Sequence, residues 1–192
     1  MGASPPSASP PPASPYVVRR LRADEAREFR WIRLRSLADD PLAFGSTYAR
    51  EAAFPAELWV ERTREGAMGT DRSTWVAADP AGRLVGLVGA IPGPDGPVVV
   101  AMWVEPAVRR QGIAGRLLDA VLAWADRTEP DRPIRLSVNP AQLSAVRLYE
   151  SRGFVRTGET EPLAHTPAVR VDVMVRPPRA RTGRPADRRA SP

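Results

Sequence analysis

The sequence predicts a mixed α/β sheet with helices on both faces. Three observations predict it. Residues 73–104 read as apolar runs separated by Asp79-Pro80-Ala81-Gly82 and by residues 92–97, turn signals that join strands antiparallel. Residues 112–156 then alternate helical and strand periodicity, and such a crossover makes a parallel pair. The two ends offer nothing to a core. Residues 1–15 hold six Pro, four Ser and no charged side chain, and residues 177–192 hold four Pro, five Arg and no large apolar residue. Stretches this poor in apolar side chains cannot offset the entropy of ordering them. The expected organisation is a disordered tail at 1–15, one domain at 16–176 and a second disordered tail at 177–192.

The elements follow in order. Residues 16–21 alternate weakly and read as a first strand. Asp24 can cap a helix running to about Leu37, with Phe29, Ile32 and Leu37 turned inward. Asp39-Asp40-Pro41 ends it, because Pro disfavours helix at the preceding residue. Residues 42–54 read as a loop with at most a helical turn. Pro55 starts a short helix to about Arg64 that carries Leu58, Trp59 and Arg62. Strands are expected at 73–78 and 83–91. Val98–Val104 is a continuous apolar run, as in a strand buried on both faces. Residues 112–126 form an amphipathic helix with Ile113, Leu117, Val121 and Trp124 or Ala125 on its inner side. A strand at 134–138 and a helix at 141–151 follow, the helix carrying Leu143, Val146 and Tyr149 and stopped by Gly153. The last strands are expected at 154–156 and 168–175.

Composition removes several chemistries. All 28 basic residues are Arg, so a Schiff-base lysine and a Walker A loop are excluded. There is no Cys, hence no thiol nucleophile, disulfide or Cys-held zinc. The single His, His165, excludes an HExxH site, and no metal is expected. No run reaches the roughly 18 apolar residues of a membrane span. The first residues lack an apolar signal core, and Pro6 stands where myristoylation requires Ser or Thr. A soluble cytoplasmic protein without membrane contact is expected. The formal net charge of +6 lies mostly in the C-terminal tail, which reads as a solvated appendage rather than a nucleic-acid contact.

The segment from Val104 to Arg116 carries the chemistry. A strand ends at Pro106, two arginines follow, then small residues, then a helix. A helix N-terminus offers unpaired N–H groups and a positive dipole end to an anion. Gly112, Ala114 and Gly115 let a phosphate approach the backbone, and Arg109, Arg110 and Arg116 add charge and forked donors. A glycine-rich turn with solvated arginines accounts for the same residues, and spacing alone does not choose between the two readings.

Arg109-x-x-Gly112-x-Ala114, preceded by Val104-x-Pro106, resembles the acyl-CoA pyrophosphate loop of the GNAT superfamily of N-acetyltransferases. Ala145-x-x-Leu148-Tyr149-Glu150-x-x-Gly153-Phe154 resembles the helix and turn that close that family's cofactor site. Asp39-Asp40-Pro41-x-Ala43-Phe44-Gly45-Ser46, with Trp59-x-x-Arg62 after it, is similar to an N-terminal pattern in one branch. The resemblance spans residues 16–176. Two departures stand out: Ala114 replaces a second Gly, and Gln142 stands where Asn is usual, with Asn139 three residues earlier.

The resemblance implies a GNAT-like, mostly antiparallel sheet of about seven strands, splayed between the fourth and fifth, with helices on both faces. It implies acetyl-CoA in the splay as co-substrate, and direct attack by a primary amine of a small-molecule or peptide acceptor in a ternary complex. Its cofactor contacts would be Trp103, Val104, Arg109, Arg110, Gln111, Gly112, Ile113, Ala114, Gly115, Arg116, Asn139 and Gln142. Tyr149 would protonate the departing thiolate, or else pack on the cofactor; a phenol near roughly 10 and a thiol near roughly 8.5 make the help modest. The base for the amine is Glu105, Glu51, His165 or a water relay. Phe44, Ser46, Glu51 and His165 would line the acceptor side, and homodimers are frequent in the family. A non-enzymatic alternative keeps the loop as an acyl-CoA-binding regulatory module with little or no turnover.

Overall fold

The computed structural model describes residues 14–178, so the expected tails fall almost wholly outside the described residues. Val17–Arg20 forms β1, antiparallel to Ser73–Ala78 (β2), which pairs with Leu84–Ile91 (β3). β3 in turn pairs antiparallel with Val98–Val104 (β4). Ile134–Val138 (β5) lies parallel to β4, and the hairpin of Val155–Leu163 (β6) and Thr166–Arg176 (β7) closes the far side. The seven strands run in the order β1-β2-β3-β4-β5-β7-β6, the mixed sheet that the sequence pattern predicts and the mostly antiparallel one that the resemblance implies.

Helices cover both faces. Ala26–Asp39 (α1), the short Tyr48–Ala52 (α2) and Ala56–Met68 (α3) lie on one side, around a core of Phe29, Ile32, Leu37, Trp59, Leu87 and Trp103. Ile113–Thr128 (α4) and Leu143–Glu150 (α5) pack into the other core, where Leu117, Leu118, Val121, Leu136 and Met174 are almost wholly buried. β3 feeds both: Leu84 and Leu87 join the first core, Val85, Val88 and Ala90 the second. α4 sits so close that a Cβ on Gly86 would lie 3.0 Å from Leu117 Cδ1, which fixes the helix on the sheet.

Several boundaries differ from expectation, each for a local reason. Asp24 does not cap α1. The helix starts after Glu25, whose carboxylate accepts from the Arg22 backbone N–H at 2.9 Å and from Arg19. Leu143 opens α5 but stays 60% exposed, so it belongs to the surface. β6 runs well past its expected end at Arg156, and β7 is longer than expected by two residues at its start and one at its end. β6 is a sheet edge, exposed at every position but Leu163, and an edge tolerates the charged and Pro residues that mask it in the sequence. β4 is not buried on both faces: Val100, Ala101 and Met102 are half-buried.

The reason lies in how β4 meets its neighbours. Leu87 faces Trp103 and Gly89 faces Val100, so β4 carries one extra residue, and Ala101 takes φ 58°. On its other side β4 pairs with β5 at Val98 opposite Arg135, extended by a bond from Arg135 N–H to the Pro97 carbonyl at 3.0 Å. Beyond that the strands part.

One buried ion pair fixes the loop beside the opening. Glu51 is 2% exposed on α2 and accepts from Arg33 Nε and Nη2 at 3.0 and 2.7 Å, with Arg62 Nη1 at 3.4 Å. Burial alone would raise its pKa, but the hydrogen bonds and charge of Arg33, with Arg62 and Ser46, hold it below the ordinary value of 4.5. A carboxylate depressed in the fold adds stability above its unfolded pKa and loses it as pH falls through the folded one. Glu51→Gln is therefore expected to lower stability at neutral pH by about 3 kcal/mol and to flatten the loss below about pH 4.5. Urea unfolding from about pH 7 to about pH 3 checks both; parallel pH profiles for variant and wild type would contradict the assignment.

Candidate active site

Where β4 and β5 diverge, a cavity of about 410 Å³ opens. One side is formed by Val98–Met102 of β4, Ser137 and Val138 of β5, Gln142 just before α5, and Tyr149 of α5. The other is formed by Arg33 of α1, Phe44, Gly45 and Ser46 after it, and Arg62 of α3. Past Val98 the edge of β4 has no β5 partner, so backbone donors and acceptors on that side need a ligand or water.

β4 leads straight to the N-terminus of α4. After the 3₁₀ turn at Pro106–Val108, Arg110 takes φ 67° and Gly112 φ 74°. Alternating backbone hands of this kind turn successive N–H groups toward one concavity and suit an anion. Gly112 is required by its positive φ, and a Cβ there would meet nothing within 4 Å, so the space in front of it is open. The first intrahelical bond runs from Arg116 N–H to the Gly112 carbonyl at 3.1 Å, which leaves the N–H groups of Ile113, Ala114 and Gly115 outside the helical ladder.

The side chains of the loop are less uniform than its sequence. Arg109 Nε donates to the Val104 carbonyl at 2.8 Å and Nη2 to Asp39 Oδ2 at 2.6 Å. Arg116 turns away and donates to the Tyr16 carbonyl at 2.8 Å. Ile113 is core, and the surroundings of Gly115 are filled, since a Cβ there would lie 2.8 Å from Arg152 Nη2. Arg110 and Gln111 are exposed, and Arg110 makes no hydrogen bond or ion pair among the described residues.

Two carboxylates at the end of α1, to which the sequence gives no site role, tie these parts together. Asp39 Oδ2 accepts from Trp103 Nε1 at 2.9 Å as well as from Arg109. Asp40 Oδ2 accepts from Gln142 Nε2 across the cleft. Burial, and then the charge of Asp39, raise the pKa of Asp40. The end of α1 thus holds the loop before α4 through one residue and the start of α5 through the next. Gln142, with a longer side chain than the usual Asn, makes that reach.

The structure brings Phe44, Ser46, Gln142 and Tyr149 onto one cavity. Tyr149 is buried, its ring edge-on to Phe154 at 5.9 Å, and burial pushes its phenol above the ordinary value of 10. Other candidates lie elsewhere. Glu105 is off the cavity lining, 5% exposed, and accepts from Arg35 Nε and Nη2 at 2.5 Å each. That hydrogen bonding keeps its pKa low. Glu51 stands behind Ser46 in the buried pair already described. His165 sits at the β6–β7 turn with Nδ1 buried and unpartnered. Asn139 Oδ1 accepts from Ala141 N–H at 3.0 Å and shapes the turn into α5. The Trp103 side chain is core. Arg33 and Arg62, which the sequence reading gave no site role, face the cavity.

Among the described residues no helix is long and apolar enough to cross a membrane, and no three His, Cys, Asp or Glu gather as metal ligands.

The comparisons agree with this architecture. Human N-acetyltransferase 8 is 37% identical over 92 residues, which is 45% of this chain and 40% of that protein, so the match spans about two-fifths of that relative. A GNAT-family acetyltransferase from Streptococcus pneumoniae superposes with TM-score 0.71 at 19% identity, over 85% of this chain and 99% of its own. A putative acetyltransferase from Salmonella typhimurium, solved with its cofactor acetyl-CoA, gives 0.68 at 13% identity, over 89% and 98%. The family model for the acetyltransferase (GNAT) domain matches residues 44–170, from the loop after α1 through the splayed strands and the cradle into β7. On that match and this fold, the chain belongs to the GNAT acetyltransferase family.

Proposed function

We propose that the protein moves an acetyl group from acetyl-CoA to a primary amine, with both molecules bound at once. The observation that carries this reading is the continuity of the splay with the N–H cradle at α4, one lined by unpaired strand edge and the other open in front of Gly112. Acetyl-CoA supplies the activated acyl thioester when bound. The N–H groups of Gly112 to Gly115 would hold its diphosphate, with Arg110, which has no partner among the described residues, beside them. The free edge of β4 would hold the extended arm, and a backbone amide next to the bulge at Ala101 would polarise the thioester carbonyl. The sequence has no Cys to carry an acyl group, which agrees with direct transfer in a ternary complex.

Tyr149 is the side chain proposed to assist the leaving sulfur. Its raised pKa keeps the phenol protonated at any working pH. A free thiol ionises near roughly 8.5, so outright proton transfer from so weak an acid is uphill and hydrogen-bond donation is the role that fits. Glu105 and Glu51 are locked as carboxylates in ion pairs and make poor bases. The proton of the amine is proposed to leave through water in the cleft.

Gly112→Glu is expected to abolish acetyl-CoA binding in a calorimetric titration, because bulk and negative charge would meet the diphosphate; unchanged affinity would remove the loop from the site. Tyr149→Phe is expected to lower kcat on the order of a hundredfold, with KM for acetyl-CoA within about twofold. A wild-type kcat would leave Tyr149 as packing.

A further inference from the structure

We propose that the amine acceptor also carries a carboxylate, and that Arg62 holds it. This rests on the acetyltransferase reading and names the class of its acceptor.

The wall of the cavity formed by α1, α3 and the start of β2 is unusually basic. Arg33, Arg62 and Arg72 line it against one lining carboxylate, Glu65, while Glu51 stands behind. These charges are unequally satisfied. Arg33 gives Nε and Nη2 to Glu51 and leaves Nη1 buried without a partner. Arg72 approaches Glu65 at 3.6 Å at the rim. Arg62 has only the long 3.4 Å contact from Nη1 to the same Glu51 that Arg33 already grips with two bonds. One carboxylate thus answers two guanidinium groups, and the cluster keeps a net positive charge.

Arg62 is the member suited to a ligand. Its guanidinium lies 5.3 Å from the Trp59 ring centre and 5.6 Å from that of Phe54. The rings hold the group in place while its side chain remains 33% exposed beside the cavity. Nε and Nη2 donate to no partner among the described residues. A guanidinium held by aromatic faces, with two donors of its fork free, is preorganised for a carboxylate.

The charge has a second effect on the same substrate. Positive charge near an amine favours its neutral form, the form that can attack. A basic wall therefore assists loss of the amine's proton, and it disfavours polycations such as polyamines. An amino acid satisfies both demands, with its carboxylate on Arg62 and its amine toward the splay.

The test uses the full chain, acetyl-CoA and matched acceptors: glycine, β-alanine, 4-aminobutyrate and phenylalanine, each against its own carboxamide, with spermidine as the polycation. Acetyl-CoA binding is measured separately by calorimetry. The expected result is a kcat/KM for at least one carboxylate about tenfold or more above its carboxamide. Spermidine is expected to be the poorest acceptor. Arg62→Gln should bring that ratio near one, with KM for acetyl-CoA unchanged. Arg62→Lys, which keeps the charge but not the fork, should give an intermediate ratio. The wild-type ratio decides even if a variant fails to fold. Acetyl transfer that ignores the carboxylate, or prefers spermidine, overturns this inference and leaves the transferase reading intact. Acetyl-CoA binding without transfer to any of these acceptors also overturns the acceptor class. Failure to bind acetyl-CoA overturns the transferase reading and this inference with it.

Discussion

β4 and β5 meet at Val98 and Arg135 and then separate, and the rest of the site follows from that parting. A parallel pair normally continues its ladder for the length of both strands, because buried backbone groups need partners. Here β4 carries an extra residue, turns through Ala101 in a left-handed conformation, and leaves one edge unpaired. The arrangement persists because β4 is held elsewhere: by β3 along one edge and by the core packing of Trp103 and Val104 at its end. The separation gives the molecule a cleft lined by apolar side chains and free backbone groups. The same strand delivers the chain to the N-terminus of α4, which Leu117 seats against Gly86. Cleft and cradle are therefore one continuous feature, set by a single strand.

Opening a sheet needs compensation across the gap, and charged side chains provide it. Asp39 and Asp40 at the end of α1 reach the two edges separately, one toward Trp103 and Arg109, the other toward Gln142. Arg35 and Glu105 add a second tie between α1 and the end of β4. Arg33, Glu51 and Arg62 tie α1, α2 and α3 together beside the cavity. Most of these groups are partly or wholly withdrawn from water, where an ion pair is favourable only with several good hydrogen bonds and severe to break. Their placement gives α1 a mechanical role. One helix holds the loop beside the cavity, the loop before α4 and the start of α5.

Much of this was legible in the chain. The strands at 98–104 and 134–138 were readable because continuous apolar runs between turns leave little choice, and α4 because its inner stripe is strict. The Arg109 to Ala114 and Ala145 to Phe154 spacings carried the family, which residues 44–170 bear out. What failed did so for physical reasons. An apolar residue that lines a cleft looks the same in sequence as one in a core, so the run at 98–104 reads as buried on both faces. Beyond Arg156, β6 is too polar to read, because an edge strand has only one neighbour to satisfy. The candidate base Glu105 could not be judged from the chain, because its partner Arg35 lies 70 residues away and is brought to it only by the fold. Asp39 and Asp40 were visible as a helix stop, but their hydrogen bonds depend on Trp103, Arg109 and Gln142, which no local pattern connects to them.

The most direct test of the central claim, that the parted strand and the α4 cradle together take acetyl-CoA, is amide hydrogen exchange with and without saturating acetyl-CoA. The account expects slowed exchange in residues 99–104 of β4 and in residues 110–115 at the start of α4, together and at the same ligand concentration, with β1 and β2 unchanged. Protection confined to another part of the sheet, or none in either segment while acetyl-CoA is bound, would contradict it.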